Sequence, residues 1–208
     1  MKTSPLKLTA LAALPLAFAA LPAGAADSPL ELKYDAVARE LPFKAVGDTC
    51  PIHILPAVDE RQNKETIGAT IGGALLAGDA GPWIGDSLYQ LRDLGFKVDR
   101  VTDASPRDGI TIKATIVRAY TWQIGLKIFG MVALKTEFSN RSGPLQTKHY
   151  RAHGDKTNMW GADAEFVTTL NYGINNFLPV LAQDLVSLCK GKTVDAYTYA
   201  GPSGAQKK

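Results

Sequence analysis

ADAEFVTTLNYGINNFLPVLAQDLVSLCK, residues 162–190, is the most regular stretch of the chain. Its apolar side chains recur at steps of three or four residues, which is the spacing of one helical face. A long amphipathic helix is therefore predicted here. Because an internal proline removes a backbone hydrogen bond and clashes one turn back, we expect a kink at Pro179; a break near residues 175–177 followed by a second helix is the alternative. The apolar face consists of Phe166, Leu170, Ile174, Phe177, Leu181, Leu185 and Leu188.

The two cysteines of the chain, Cys50 and Cys189, predict a covalent link between the first strand candidate and the end of this helix. Two cysteines in an exported protein are usually paired. Such a bridge closes a loop of about 140 residues, worth at most about 5 kcal/mol in the chain-entropy model. Two buried thiols are the alternative.

The N-terminus has the composition of a secretory signal peptide, predicted over residues 1–26. Lys2 and Lys7 are its basic part, residues 8–21 its apolar part, and residues 23–26 offer small side chains for cleavage. The apolar run of about 14 residues is shorter than the roughly 20 that a spanning helix needs. We therefore expect a periplasmic protein without a transmembrane helix in the mature chain.

The charge balance gives no support for nucleic-acid binding. The formal net charge is +3 at pH 7, and Lys2 and Lys7 of the predicted signal supply most of the excess. The remaining chain is nearly neutral, whereas nucleic-acid binding usually requires a basic stripe.

Residues 50–190 are predicted to form a single α+β domain, between an extended lead-in at 27–49 and a flexible tail at 191–208. The pattern predicts a helix at 82–95 and about five strands. The first, at 50–58, has apolar residues on both faces and is expected in a covered or central position, whereas the three strands from residue 109 onwards have one apolar face each, which is typical of a mainly antiparallel sheet covered on one face by two helices. Leu145–His153 alternates weakly and is expected at the sheet edge. The strand candidates are 50–58, 96–101, 109–119, 125–138 and 145–153.

The stretch TIGATIGGALLAGDAG, residues 66–81, is rich in glycine. It is interpreted as a loop with a short extended piece. Because glycine allows close approach of a guest, Gly72 and Gly73 are candidates for lining a ligand site. A membrane-active segment is the less favoured reading.

No motif in the chain predicts catalysis, a metal or a cofactor. His149 and His153 lie four apart, which on a strand is about 13 Å, too far for one ion. We expect no enzyme activity and no cofactor. Trp160, within an apolar triplet of a polar turn, joins His149 and Tyr150 as a candidate partner surface.

Several short motifs resemble the YajG-like family of small bacterial envelope lipoproteins. These are VDERQ at 58–62, LGFKV at 94–98 and KHYRA at 148–152, followed by the terminal helix. The resemblance implies a periplasmic α+β domain with no established enzyme activity to carry over. The chain departs from the family in having no N-terminal cysteine for lipidation, which puts membrane anchoring in doubt.

Two functions are compatible with these features. The first is a non-catalytic envelope protein that binds a partner protein or a cell-wall component, with the edge strand Leu145–His153 available for strand addition. The second is a periplasmic carrier or sensor of a small apolar ligand, held between the sheet and the glycine-rich stretch.

Overall fold

The computed structural model describes residues 29–35, 47–70, 73–158 and 162–201, which form one mixed sheet and two α-helices. The predicted signal peptide lies outside the described residues. The strands are β1 (Gly47–Ile54), β2 (Val58–Asp59), β3 (Thr66–Thr70), β4 (Gly73–Leu76), β5 (Phe96–Arg100), β6 (Ile110–Ile124), β7 (Lys127–Asn140), β8 (Gly143–Thr157) and β9 (Tyr197–Ala200). The helices are α1 (Gly81–Tyr89) and α2 (Asp163–Cys189), and a 3-10 turn (Gln90–Leu94) follows α1.

The prediction of about five mainly antiparallel strands under a long kinked helix is wrong. The described residues form nine strands in a mixed sheet. β6, β7 and β8 are antiparallel, but β1, β2 and β3 run parallel to successive parts of β6, and β9 runs parallel to β8. Pro56 separates β1 from β2, and the two residues of β2 are too few to show a two-residue period in the sequence.

The helix α2 lies across β6, β7 and β8 and continues through Pro179 without a break. Its apolar stripe is almost completely buried, as is Trp83 of α1, whose indole nitrogen donates a hydrogen bond of 2.8 Å to Asn171 of α2. Both helices therefore pack on the same face of the sheet, which we call the covered face. Trp83 and the stripe belong to one continuous core.

Two glycines of the sheet let α2 rest directly on the strand backbone. A Cβ atom added to Gly154 of β8 would lie 2.4 Å from the carbonyl oxygen of Thr169. One added to Gly130 of β7 would lie 2.6 Å from the backbone nitrogen of Leu170. Any side chain at these positions must push the helix away from the sheet.

Replacing Gly154 by alanine will lower the free energy of unfolding by about 2–3 kcal/mol, because overpacking a tight interface forces backbone shifts. Urea denaturation measures the change. Gly85 in α1 is the matched control: an added Cβ meets nothing within 4 Å there, so alanine should leave stability unchanged or raise it. Equal effects at both positions would contradict the close helix–sheet contact.

The predicted disulfide is confirmed. Cys50 of β1 is bonded to Cys189 at the end of α2, with a Cα–Cα distance of 6.0 Å and a sequence separation of 139 positions. The bridge joins the start of the sheet to the end of the covering helix. A disulfide is typical of proteins in an oxidising, extracytoplasmic compartment.

The segments flanking the predicted domain also belong to the fold. Tyr34 of the lead-in donates a 2.6 Å hydrogen bond to Asn175 of α2, and Leu30 forms a parallel bridge with Ala77. The tail predicted to be flexible from residue 191 instead supplies β9. Neither helix of the described residues has the length and apolar character needed to cross a bilayer.

Candidate interaction surface

The sheet face opposite the helices carries the candidate site, and no described helix packs on it. We define the outer face as the side chains of β6–β9 that point away from α2. Across the strands they form rows set by the hydrogen-bond register. The central rows are Thr115–Lys135–His149–Tyr197, Arg118–Ala133–Arg151–Tyr199, Tyr120–Met131–His153 and Trp122–Phe129–Asp155.

Aromatic rings cluster at one end of this outer face. Trp122 stacks against Tyr120 and Phe129, with ring centroids 6.1 and 5.4 Å apart. Tyr199 of β9 contacts His153 edge-on at 5.2 Å. Tyr120 and Tyr199 remain 41% and 46% exposed, although comparable rings on the covered face are buried. Exposed, clustered aromatic residues of this kind mark interaction surfaces.

A β-bulge in β6 determines which side chains reach the outer face. The register with β7 shifts between Ile116 and Arg118, so Val117 and Arg118 both lie opposite Ala133. Beyond the bulge the alternation reverses: Tyr120 points outwards, whereas the even positions before the bulge are buried. Bulges often re-aim side chains next to functional sites.

Two adjoining grooves form one trough across the outer face. The larger, of about 770 Å³, lies between the loop after β2 and the centre of β6–β8. The smaller, of about 400 Å³, reaches Tyr197 and Tyr199 of β9. Val117, Ala133 and Arg151 line both grooves, so the trough is continuous.

One wall of the trough is the loop after β2, and a buried ion pair fixes it. The guanidinium of Arg61 lies 2.9 Å from the Asp59 carboxylate and also donates hydrogen bonds to the carbonyl oxygens of Thr66 and Gly78. Burial alone raises the pKa of Asp59, but hydrogen bonds from Arg61 and the Ala80 amide outweigh it, and the pKa is lowered overall. The pair ties the loop to the β3–β4 hairpin.

His153 lies at the centre of the aromatic cluster and orients Arg151. The Nε atom of Arg151 donates a 3.2 Å hydrogen bond to Nε2 of His153, which requires that this nitrogen carry no proton. Desolvation, and secondarily the charge of Arg151, lower the pKa of His153. The neutral imidazole is thus the form that the folded protein favours.

Stability will fall as the pH is lowered through the folded pKa of His153. That pKa lies below the ordinary value of 6.5, so the unfolded chain binds the proton more readily than the folded protein does. The stabilisation that neutral His153 contributes is therefore fully present only above pH 6.5. Urea midpoints measured across the acidic range should therefore drop more for the wild type than for His153→Gln. An identical pH dependence in both proteins would show that His153 is not perturbed.

The structure separates the residues predicted as a partner or ligand surface. His149 lies on the outer face, where its ring stacks on Tyr197 at 4.9 Å. The side chain of Tyr150 lies on the covered face, where it is buried and its hydroxyl donates to Asp184 of α2. Gly73 begins β4 with a φ of 145°. Gly72 and Trp160 lie outside the described residues.

Two structural expectations behind the functional hypotheses need correction. Leu145–His153 is not an edge strand, because β9 pairs with it at His149–Ala152. The glycine-rich stretch is not a loop over a guest: β3 and β4 form a hairpin, and a Cβ on Gly68 would lie 2.2 Å from the carbonyl oxygen of Thr121. Gly68 thus serves the close approach of β3 to β6.

Sequence reasoning missed most of the outer face. Arg118 and Tyr120 fall beyond the bulge, where a strict alternation assigns the wrong side. Tyr197 and Tyr199 were included in the flexible tail. The alternation of YTYA at 197–200 is the one signal that indicates a strand there.

Comparison with protein-family models and with curated proteins found no match. Among solved structures, the chain is similar to a Xanthomonas campestris protein of family DUF330, with 14% identity, a TM-score of 0.53, and 76% of this chain and 95% of that chain covered. A hypothetical protein from Chlamydia trachomatis has 7% identity and a TM-score of 0.46 over 69% of this chain and 99% of its own. The lipoprotein GNA1162 from Neisseria meningitidis has 13% identity and a TM-score of 0.33 over the same shares.

The described chain is therefore a domain made mostly of one mixed sheet, with two helices, and its fold is similar to that of the DUF330 protein. At 14% identity the likeness concerns the fold and not the role. The resemblance to the YajG-like family in particular stays a prediction.

Proposed function

We propose that this protein is a non-catalytic binding module of the periplasm that holds another envelope protein against the outer face of its sheet. The observation that carries the proposal is the contrast between the two faces. α1 and α2 bury the covered face, whereas Tyr120, Tyr197 and Tyr199 on the outer face remain 41–74% exposed beside a continuous trough. The disulfide supports the compartment.

The composition of the outer face favours a protein over a cell-wall component. Tyrosine, tryptophan and arginine dominate the binding energy of protein interfaces. The trough is lined by Tyr120, Tyr199 and Arg151, whereas Lys148 points to the covered face and pairs with Asp184 at 2.8 Å. A cell-wall glycan is the competing occupant and enters the test below.

Capture from an envelope extract of the native host tests the proposal. The mature protein should enrich a partner protein, and Tyr120→Ala with Tyr199→Ala should abolish the enrichment, because hot-spot truncations cost about 2 kcal/mol or more each. Tyr172→Ala is the matched control, since Tyr172 is a 38% exposed tyrosine of α2.

Two results would overturn the proposal. One is enrichment that is equal in wild type and in the Tyr120→Ala/Tyr199→Ala variant. The other is binding to purified peptidoglycan that depends on the tyrosines, with no protein enriched.

A further inference from the structure

Arg118 and Arg151 place two positive charges at the centre of the trough. In the register of the sheet, Arg118 lies opposite Ala133, and Ala133 lies opposite Arg151 on the next strand. Since neighbouring strands are about 4.8 Å apart, the backbones of the two arginines are separated by about 10 Å. The small Ala133 side chain leaves an open slot between them.

Neither guanidinium is neutralised by the described part of the chain. Both side chains are exposed, and neither forms an ion pair with a carboxylate among the described residues. The contrast with neighbouring cations is clear: Lys135 and Lys113 both pair with Glu137, at 2.9 and 3.0 Å. These lysines of the outer face are thus paired with a carboxylate of the same sheet, whereas the two central arginines are available to bind a ligand.

Arg151 is also held in a way that suits carboxylate recognition. The hydrogen bond from Nε of Arg151 to His153 fixes one edge of the guanidinium and leaves its terminal nitrogens to donate. A guanidinium binds a carboxylate with two parallel hydrogen bonds, and such charge-assisted pairs are strong. The row that contains Arg118, Ala133 and Arg151 is thus suited to bind an anionic group.

The floor of the trough between the two arginines is apolar, so a ligand with two anionic groups should also carry an apolar group between them. Val117, Ala133 and Met131 line it, and Tyr120 flanks it. A polypeptide meets both needs at once, because an extended chain rises about 3.3 Å per residue. Alternate side chains of an extended chain share one face, so carboxylates four positions apart, about 13 Å, can reach the two long arginine side chains, and an aliphatic or aromatic side chain midway between them covers the floor.

We propose that the outer face recognises an acidic segment of its partner protein, in which two carboxylates four residues apart, with an apolar residue midway between them, bind Arg118 and Arg151. This inference rests on the proposed function and specifies the chemistry of the partner. Each arginine contributes about tenfold to the affinity, which corresponds to one charge-assisted hydrogen-bonded contact.

Selection from a random peptide display library tests the inference with defined probes. The baits are the disulfide-bonded mature wild type, the charge reversal Arg118→Glu/Arg151→Glu, and the control Lys97→Glu/Lys192→Glu, which changes the net charge equally at exposed sites away from the trough. Thermal unfolding first establishes that all three are folded. Selected peptides are then synthesised and titrated calorimetrically, beside vesicles of phosphatidylglycerol.

The wild type and the control should enrich peptides with paired acidic residues around an apolar one, and the charge reversal should enrich basic peptides instead. Absence of acidic enrichment, acidic enrichment that survives the charge reversal, or arginine-dependent binding to vesicles alone would overturn the inference. Selection of neutral aromatic peptides that are lost in Tyr120→Ala/Tyr199→Ala would refute the acidic partner and leave the proposed function standing. Selection of peptides whose binding changes neither with the arginine nor with the tyrosine substitutions would refute both the acidic partner and the proposed function.

Discussion

Replacing Arg61 by methionine will lower the free energy of unfolding by about 3–5 kcal/mol, the largest effect expected of any single side chain here. The substitution keeps most of the volume but leaves the Asp59 carboxylate, which is only 5% exposed, without its counter-ion. It also removes the donors that bind the carbonyl oxygens of Thr66 and Gly78. The cost arises from an uncompensated buried charge and orphaned backbone acceptors.

Urea denaturation at neutral pH measures this effect, and Arg107→Met serves as the matched control. Arg107 pairs with Asp103 in an exposed loop at 3.1 Å, where solvent screens the interaction. Its replacement should change stability little. If Arg61→Met were no more costly than Arg107→Met, the buried pair would not be what holds the loop after β2. The same variant should also weaken partner binding, because that loop is a wall of the trough.

Loss of the disulfide will lower the free energy of unfolding by about 3–5 kcal/mol, because the bond joins residues 139 positions apart in sequence and restricts the unfolded chain. The double replacement Cys50→Ala/Cys189→Ala should show this in urea denaturation under non-reducing conditions. Reduction of the wild type is the internal control and should shift its midpoint to that of the variant. A midpoint insensitive to reductant would contradict a stabilising role for the bond.

The terminal helix and the disulfide were predictable because each depends on a local or countable signal. The stripe from Phe166 to Leu188 has one period, and two cysteines allow one intramolecular pair. The close approach of α2 to Gly154 was not predictable, because a glycine in a strand does not show which backbone lies above it. Only the packed structure identifies Thr169 as the neighbour.

The sheet was mispredicted where non-local pairing decides the structure. β2 has two residues and β9 has four, which is too few for alternation to stand out from background. Their positions are determined by parallel pairing with β6 and β8. The outer face was unpredictable for the same reason. The bulge at Val117 and the pairing of β9 with β8 together determine which tyrosines and arginines lie next to one another there.

Photo-cross-linking in the native host tests the central claim most directly, which is that the outer face of the sheet is the surface that binds a partner. A photoreactive amino acid is placed at position 199 on the outer face and, in a parallel strain, at position 172 on α2. We expect a discrete protein adduct from position 199 that is lost when Arg118 and Arg151 are reversed to glutamate, and none from position 172. An adduct from position 172 alone, or equal adducts from both positions, would contradict it.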